Sequence, residues 1–423
     1  MELRTLDDCE QALLAYIPPP RSQRENYTLE RMHALMAALG NPQERYQVIH
    51  MAGTSGKTST CYYAAGLLTQ VGLKTGLTVS PHITRVNERV QIDMQPANEE
   101  LFARELTTFL HIVDDTHLKP TYFEVLMAFA YWFFARQHVD VAVIETGVGG
   151  LLDGSNVVQN PDKVCVLTDI GLDHTALLGE TIPEIAAQKA GIIHPHNQVF
   201  FHRQAPDVMQ VFQAAAHQNY ANAHVLEENI RAAADVLPAF QKRNFSLAAT
   251  AVQFVLGRCG MTPLSDEQMQ KGSLLHIPAR MEQFKVHGRL VTLDGAHNPQ
   301  KMAALVSGYK VQQDEAPVVL YSCIEGPDAK IDQTLDELLK LRPQKIILTA
   351  FQSMQDLKKL SVEPQLLQAV LARKGYAHTE VIREAHEALR QALSLSAPLV
   401  IAGSLYLVFE VRNDLIRLAD GQA

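Results

Sequence analysis

Short apolar runs alternate along this chain with longer stretches whose apolar positions recur at helical spacing. Tyr46–Ala52, Val139–Ile144, Val164–Asp169 and Gln198–His202 are compact apolar runs of strand length. Between and after them, Thr58–Val71, Glu99–Val113, Phe123–Arg136 and Ile182–Ala190 read as helices. Strands that alternate with helices in this way predict a mostly parallel sheet covered on both faces. Ligands of such sheets collect at the carboxyl ends of the strands. The pattern restarts late in the chain. Arg289–Leu293, Val318–Cys323, Lys345–Thr349 and Leu399–Ala402 are strand candidates, separated by helical stretches at Pro299–Gly308, Asp332–Leu341, Pro364–Lys374 and Ala385–Leu393. Gly272–Val286 has no convincing period and reads as the link. The expected domains are therefore residues 1–280 and a smaller unit, 281–423.

Composition narrows the class. The chain has 423 residues, 47% hydrophobic and 20% charged, which suits a globular protein of two or three domains. A net charge of −9 argues against a nucleic-acid partner, because phosphate backbones attract basic surfaces. Cys9, Cys61, Cys165, Cys259 and Cys323 are scattered and form no CxxC pair, so neither a zinc site nor a disulfide framework is expected. The most apolar stretch, Val125–Ala135, is too short to span a bilayer. Met1–Tyr16 carries acids and no long apolar run, unlike a secretory signal. A cytoplasmic location with reduced thiols and no membrane partner is the expectation.

The strongest chemical signal is Gly53-Thr54-Ser55-Gly56-Lys57-Thr58, followed by Ser59, between a strand and a helix. Glycines let backbone N–H groups converge on phosphate oxygens, and the helix N-terminus adds a favourable field. Lys57 would reach the outer phosphates, and the Thr58 hydroxyl would ligate magnesium. Met51 stands where the general phosphate loop has its first glycine, so this is the shorter GTxGKT form. The fold class expected is α/β: an N-terminal P-loop ATPase-like domain with a mostly parallel sheet, plus a smaller C-terminal Rossmann-like α/β domain. The loop alone does not separate a kinase, a motor ATPase and a ligase. Glu145 ends the apolar run Val141-Ala142-Val143-Ile144, a costly place for a carboxylate unless it is paired or bound to a metal.

Further motifs carry a resemblance. Ser80-Pro81-His82 is followed by Arg85 and Asn87-Glu88-Arg89-Val90. Glu145-Thr146-Gly147-Val148-Gly149-Gly150 leads to Asp153 and Asn156. Asp173-His174, Lys189-Ala190-Gly191-Ile192-Ile193, Asp294-Gly295-Ala296-His297-Asn298-Pro299 and Ala402-Gly403-Ser404-Leu405-Tyr406 follow in order. From about Thr28 to about Arg412 the chain resembles the folylpolyglutamate and dihydrofolate synthases of the Mur ligase superfamily. The resemblance implies an ATP- and magnesium-dependent ligase that joins L-glutamate to a folate or dihydropteroate carboxylate through an acyl phosphate, acting as a monomer. Charge develops on oxygens in both steps, so cations and placed N–H donors are the tools such chemistry needs.

The same resemblance implies roles. Lys57, His174 and Lys189 are expected to be catalytic. Ser80, Glu145 and His174 would ligate magnesium with Thr58, joined by Lys189 once it is carbamylated. ATP would be met by the loop Gly53–Ser59, by Asn244 for adenine, by Arg280 for phosphate, by Asp294 for ribose, and by His297 nearby. The pterin would be met by Thr28, Leu29, Glu30, Arg31, Tyr122, Phe123, Glu124 and Asp153. The chain departs from the family pattern at Ser55, Thr58, Leu151, Gly154-Ser155 and Glu325–Lys330. Its Arg203–Gln241 stretch reads as a shortened sheet edge without the usual strands. A diverged Mur-type ligase or a silent nucleotide-binding protein is the alternative these departures leave open.

Overall fold

The computed structural model describes residues 2–18, 28–227, 237–313, 315–353 and 359–420. The chain divides into two compact units that part between Leu275 and His276. In the first, α1 (Leu6–Leu13) and α2 (Glu30–Ala38) precede the central strand β1 (Gln47–Ala52). Then come α3 (Lys57–Gln70), β2 (Thr75–Thr78), a ribbon of β3 (Gln91–Ile92) and β4 (Gln95–Pro96), α4 (Glu99–Asp115), α5 (Tyr122–Arg136) and β5 (Val141–Glu145). The unit continues with β6 (Val164–Leu167), α6 (Thr175–Leu178), α7 (Ile182–Ala190), β7 (Gln198–His202), α8 (Pro206–Gln218), β8 (Asn222–Leu226), α9 (Ala239–Arg258) and α10 (Asp266–Ser273).

Its strands lie in the order β4-β3-β2-β5-β1-β6-β7-β8. Along the order from β2 to β8 every pairing is parallel, whereas the β2–β3 and β3–β4 pairings are antiparallel. Val48–Ala52 and Val141–Glu145 are buried throughout, as strands covered on both faces must be. On one face α5 supplies the core. Its sequence is apolar almost all round, and every residue from Glu124 to Phe134 is buried. Thr121 and Glu124 close a capping box that starts the helix after Pro120. Phe129 then meets Phe102 and Phe109 of α4 edge-on, with ring centroids 5.1 and 5.3 Å apart.

The second unit runs β9 (Glu282–Val286), β10 (Arg289–Leu293), α11 (Pro299–Gln312), β11 (Val318–Tyr321), α12 (Asp328–Leu339) and β12 (Lys345–Leu348). A ribbon of β13 (Gln352–Ser353) and β14 (Lys359–Leu360) follows, then α13 (Pro364–Arg373), β15 (Thr379–Val381), α14 (Ala385–Ser394), β16 (Leu399–Ala402) and α15 (Leu405–Asp420). Its sheet has the order β15-β12-β11-β16-β10-β9 and is parallel except at β9. Among the described residues, no helix is long and apolar enough to cross a membrane.

Two expectations are corrected. The stretch after Arg203 does contain a strand: β8 extends the sheet in parallel with β7. As an edge strand its first two residues are exposed and the rest half-buried, so Asn222–Leu226 lacks the apolar run that marks a central strand. The rest of that stretch, residues 228–236, lies outside the described residues. The expected link Gly272–Val286 ends in β9, whose inward positions alternate at period two. One inward residue is Glu282, and a buried carboxylate hides the pattern from a hydrophobicity reading.

Candidate active site

Four parallel strands deliver the candidate residues to one edge of the first sheet. β1 ends at the phosphate loop, β5 ends on Glu145, β2 leads to Ser80 and β6 leads to Asp169. This is the carboxyl end of the sheet, where open α/β folds bind ligands. The loop admits no side chain at its glycines. A Cβ on Gly53 would stand 1.8 Å from Thr168 Oγ1. Gly56 has a left-handed φ of 90°, and a Cβ there would stand 2.3 Å from Asn244 Oδ1.

The backbone N–H groups of Thr54 and Ser55 donate to Asp169 O at 3.0 and 3.2 Å. The Asp169 carboxylate receives Arg243, NH2 at 2.7 Å and Nε at 3.3 Å. Asp169 therefore sews the loop to β6 and to α9 at once. Reading the sequence did not single it out, and its position two residues past an inner strand is the only local signal. α3 starts with Gly56 at its N-cap and no capping side chain there, so the helix end faces the ligand side with its backbone donors. Lys57 Nζ arches back to Gly53 O at 2.9 Å.

Glu145 is 2% exposed. Its Oε1 accepts from Thr58 Oγ1 at 2.7 Å and its Oε2 from the Ser80 N–H at 3.0 Å. Both donors are neutral, and the carboxylate lies beside two residues that carry hydroxyls. Such a set of oxygens fits magnesium, which takes one or two carboxylates, phosphate oxygens and water. Among the described residues no three His, Cys, Asp or Glu side chains gather as a metal cage. His174 is exposed, with φ 50°, at the N-cap of the four-residue α6, and its N–H donates to Asp173 Oδ1 at 3.1 Å. Lys189, 3% exposed near the end of α7, packs under the glycine loop; a Cβ on Gly150 would stand 2.8 Å from its carbonyl oxygen.

A second group of predicted residues forms a wall around the start of α5. Arg31 of α2 holds Glu124 of α5 through two hydrogen bonds of 2.9 Å. Glu124 Oε2 also accepts from the Thr121 N–H and hydroxyl, at 2.7 and 2.9 Å. Tyr122 is buried under the Arg89 guanidinium, 5.5 Å from its ring centre. Arg89 Nε donates to His82 Nδ1 at 3.0 Å, and burial, then the Arg89 charge, hold His82 well below the usual histidine range. Phe123 is half-buried against the loop after β5; a Cβ on Gly147 would stand 2.7 Å from its ring.

Asp153 accepts from the Val148 N–H at 2.8 Å and from the Ser155 N–H and hydroxyl at 3.0 and 2.6 Å. Burial raises its carboxyl above the ordinary aspartate value, and these bonds offset only part of that rise. Glu124 and Asp153 thus build the wall and the loop, their oxygens engaged by the protein. Thr28 Oγ1 caps the Glu30 N–H at 3.2 Å, Leu29 packs on the core at the start of α2, and Glu30 is exposed.

In the second unit, Asp294 follows β10 and is buried, accepting from the Met281 and Ala296 N–H groups, each at 2.8 Å. Arg280 sits between Ala279 and Met281, whose φ values of 57° and 53° are left-handed. Its NH1 donates to Ala279 O at 2.9 Å and would stand 3.2 Å from a Cβ on Gly295. His297 bonds Gly295 O through Nδ1 at 2.8 Å, with Lys301 Nζ 3.1 Å from Nε2. The fold therefore gathers Arg280, Asp294 and His297 at one strand end.

A phosphate loop after the central strand of a parallel sheet, with a buried carboxylate at the end of the neighbouring strand, is the arrangement of a nucleotide-binding P-loop domain. Residues 51–256 match the Mur ligase middle domain, and residues 279–417 match the C-terminal domain of dihydrofolate synthetase. A folylpolyglutamate synthase of Lacticaseibacillus casei is 31% identical over 427 residues, spanning 91% of this chain and 94% of that one. A dihydrofolate synthase/folylpolyglutamate synthase of Bacillus subtilis is 29% identical over 421 residues, spanning 92% and 94%. The structure of Mycobacterium tuberculosis folylpolyglutamate synthase complexed with ADP matches with a TM-score of 0.84 at 27% identity, over 97% of this chain and 98% of that one. The chain belongs to the folylpolyglutamate synthase and dihydrofolate synthase family, the ATP-dependent carboxylate–amine ligases.

Proposed function

We propose that this enzyme uses ATP to join L-glutamate to the carboxylate of a folate or dihydropteroate. The observation that carries the reading is Glu145, a buried carboxylate held by the Thr58 hydroxyl and the Ser80 N–H beside the phosphate loop. The substrate carboxylate attacks the terminal phosphorus of ATP, ADP leaves, and an acyl phosphate forms. The glutamate amine then attacks the acyl carbon, and phosphate leaves from the tetrahedral species. Lys57 and the N–H groups at the start of α3 bind phosphate oxygens and offset the charge that builds on them. Thr58, Ser80 and Glu145 would hold magnesium, which screens the phosphates when bound.

Lys189 is assigned the carbamate and His174 the remaining ligand position by family likeness. Asn244, pressed against Gly56, suits adenine recognition; Arg280, Asp294 and His297 are assigned to the nucleotide in the second unit. Arg31, Tyr122, Phe123, Glu124 and Asp153 form the pterin wall, with Phe123 offering a ring face to a flat heterocycle. Thr28, Leu29 and Glu30 lie at its edge. Cys9, Cys61, Cys165, Cys259 and Cys323 are all free thiols, which supports a reducing, cytoplasmic setting, and we take the enzyme to act as a monomer.

The test is ADP release with magnesium and L-glutamate, comparing dihydropteroate with tetrahydrofolate and using Lys57→Ala as control. Glutamate-dependent release with one or both pterins, reduced at least about 100-fold in the variant, is expected. Release that ignores glutamate, or none with either pterin, would overturn the reading.

A further inference from the structure

Behind the loop that follows β5 lies a buried imidazole that the reaction above does not use. His50 is in the middle of β1 and 0% exposed. Its Nε2 is 2.9 Å from Ser155 Oγ and 3.0 Å from Thr146 Oγ1. The Ser155 hydroxyl donates its only proton to Asp153 Oδ1 at 2.6 Å. It can therefore only accept from His50, which places the imidazole proton on Nε2. Nδ1 is then the unprotonated nitrogen, and it is buried with no hydrogen-bond partner among the described residues. Burial, then the nearby Lys163 and His194, hold the ring neutral.

Thr146 and Ser155 are the two ends of one loop. Thr146 follows Glu145 directly, and its N–H donates to Met51 O at 3.0 Å. Ser155 anchors Asp153, which in turn holds the Val148 N–H across the loop. β1, the strand of His50, ends at Ala52 and runs directly into the phosphate loop at Gly53.

We propose that His50 is a positioning residue for the ligase reaction: its Nε2–H ties both ends of the Thr146–Ser155 loop to the strand that carries the phosphate loop. The inference rests on the reaction proposed above. Acyl phosphate formation requires the substrate carboxylate to lie in line with the terminal phosphate. A misplacement of about 1 Å in such a step can cost about 100-fold. His50 sets the distance between the pterin side and the phosphate side of the site from a position that touches neither ligand.

The experiment compares His50→Gln, His50→Asn and Ser155→Ala. A glutamine amide reaches the place of Nε2, whereas an asparagine amide stops near Nδ1. ADP affinity by calorimetry and steady-state kinetics at varied pterin concentration are read for each. His50→Gln should stay within about threefold of wild type in kcat/KM, while His50→Asn and Ser155→Ala each lose about tenfold or more with ADP affinity unchanged. The double variant His50→Asn/Ser155→Ala should be no worse than either alone, because one tie has been cut twice.

Wild-type kinetics in His50→Asn, a glutamine variant as poor as asparagine, or ADP affinity that falls in step with turnover would overturn the proposal. Should His50→Asn fail to fold, Ser155→Ala decides, since it leaves β1 intact. Should the wild type prove inactive, the reaction reading fails by itself. Hydrogen exchange at the Val148 and Ser155 amides then decides on the tie: faster exchange in His50→Asn or Ser155→Ala sustains it, and unchanged exchange removes it.

Discussion

Glu145 shows how much of this site is decided by one side chain. A carboxylate with both oxygens buried and only neutral donors costs several kcal/mol in the absence of a cation, so its retention at the end of β5 points to charge chemistry. Glu145→Gln keeps the shape and removes the charge. We expect it to raise the magnesium concentration needed for half-maximal ADP release by about tenfold or more, with the fold intact by circular dichroism. An unchanged magnesium titration would remove Glu145 from the metal site. The phosphate loop was legible at this scale because its chemistry is local: six consecutive residues set the backbone geometry. Asp169 was not legible, because its role lies in a carbonyl that accepts from Thr54 and Ser55 far along the chain.

At the scale of elements, α5 and the loop after β5 do different work. α5 is a core helix whose first turn happens to carry Tyr122, Phe123 and Glu124 to the site, so core packing fixes where the wall stands. Phe129 lies fully buried between Phe102, Phe109, Trp132 and Phe133. Phe129→Ala should cost about 3–5 kcal/mol in urea unfolding. A loss under about 1 kcal/mol would mean that this core is looser than its packing indicates. The helix was readable from its apolar run, whereas β8 and β9 were not. β8 is an exposed edge, and β9 places Glu282 where the pattern calls for an apolar residue. Arg412 of α15, on the far side of the second unit's sequence, makes that placement tolerable through hydrogen bonds of 2.6–3.1 Å.

At the scale of the whole molecule, that same pair makes stability depend on acidity. Burial alone would raise the Glu282 carboxyl, but His276, Arg412 and the Ala279 N–H hold it down at about 2, against an ordinary 4.5. A carboxyl lowered in the folded state contributes stability above its unfolded value, and that contribution fades as pH falls from 4.5 toward 2. The linkage amounts to about 3 kcal/mol. Urea midpoints at neutral pH and at about pH 3 should therefore converge for wild type and Glu282→Gln, with the variant the less stable at neutral pH. Parallel midpoints would refute this. The sequence by itself determined the alternating architecture, the restart of the pattern after the link, the phosphate loop and the family, since each is written in neighbouring residues or in the order of motifs. It did not determine which side chains meet. Arg31 and Glu124 are 93 positions apart, Thr58 and Glu145 are 87, and His50 and Ser155 are 105. Those pairings follow from the strand order β2-β5-β1-β6 and the burial of α5, because a parallel sheet sets distant strand ends side by side and no local period records which strand becomes whose neighbour.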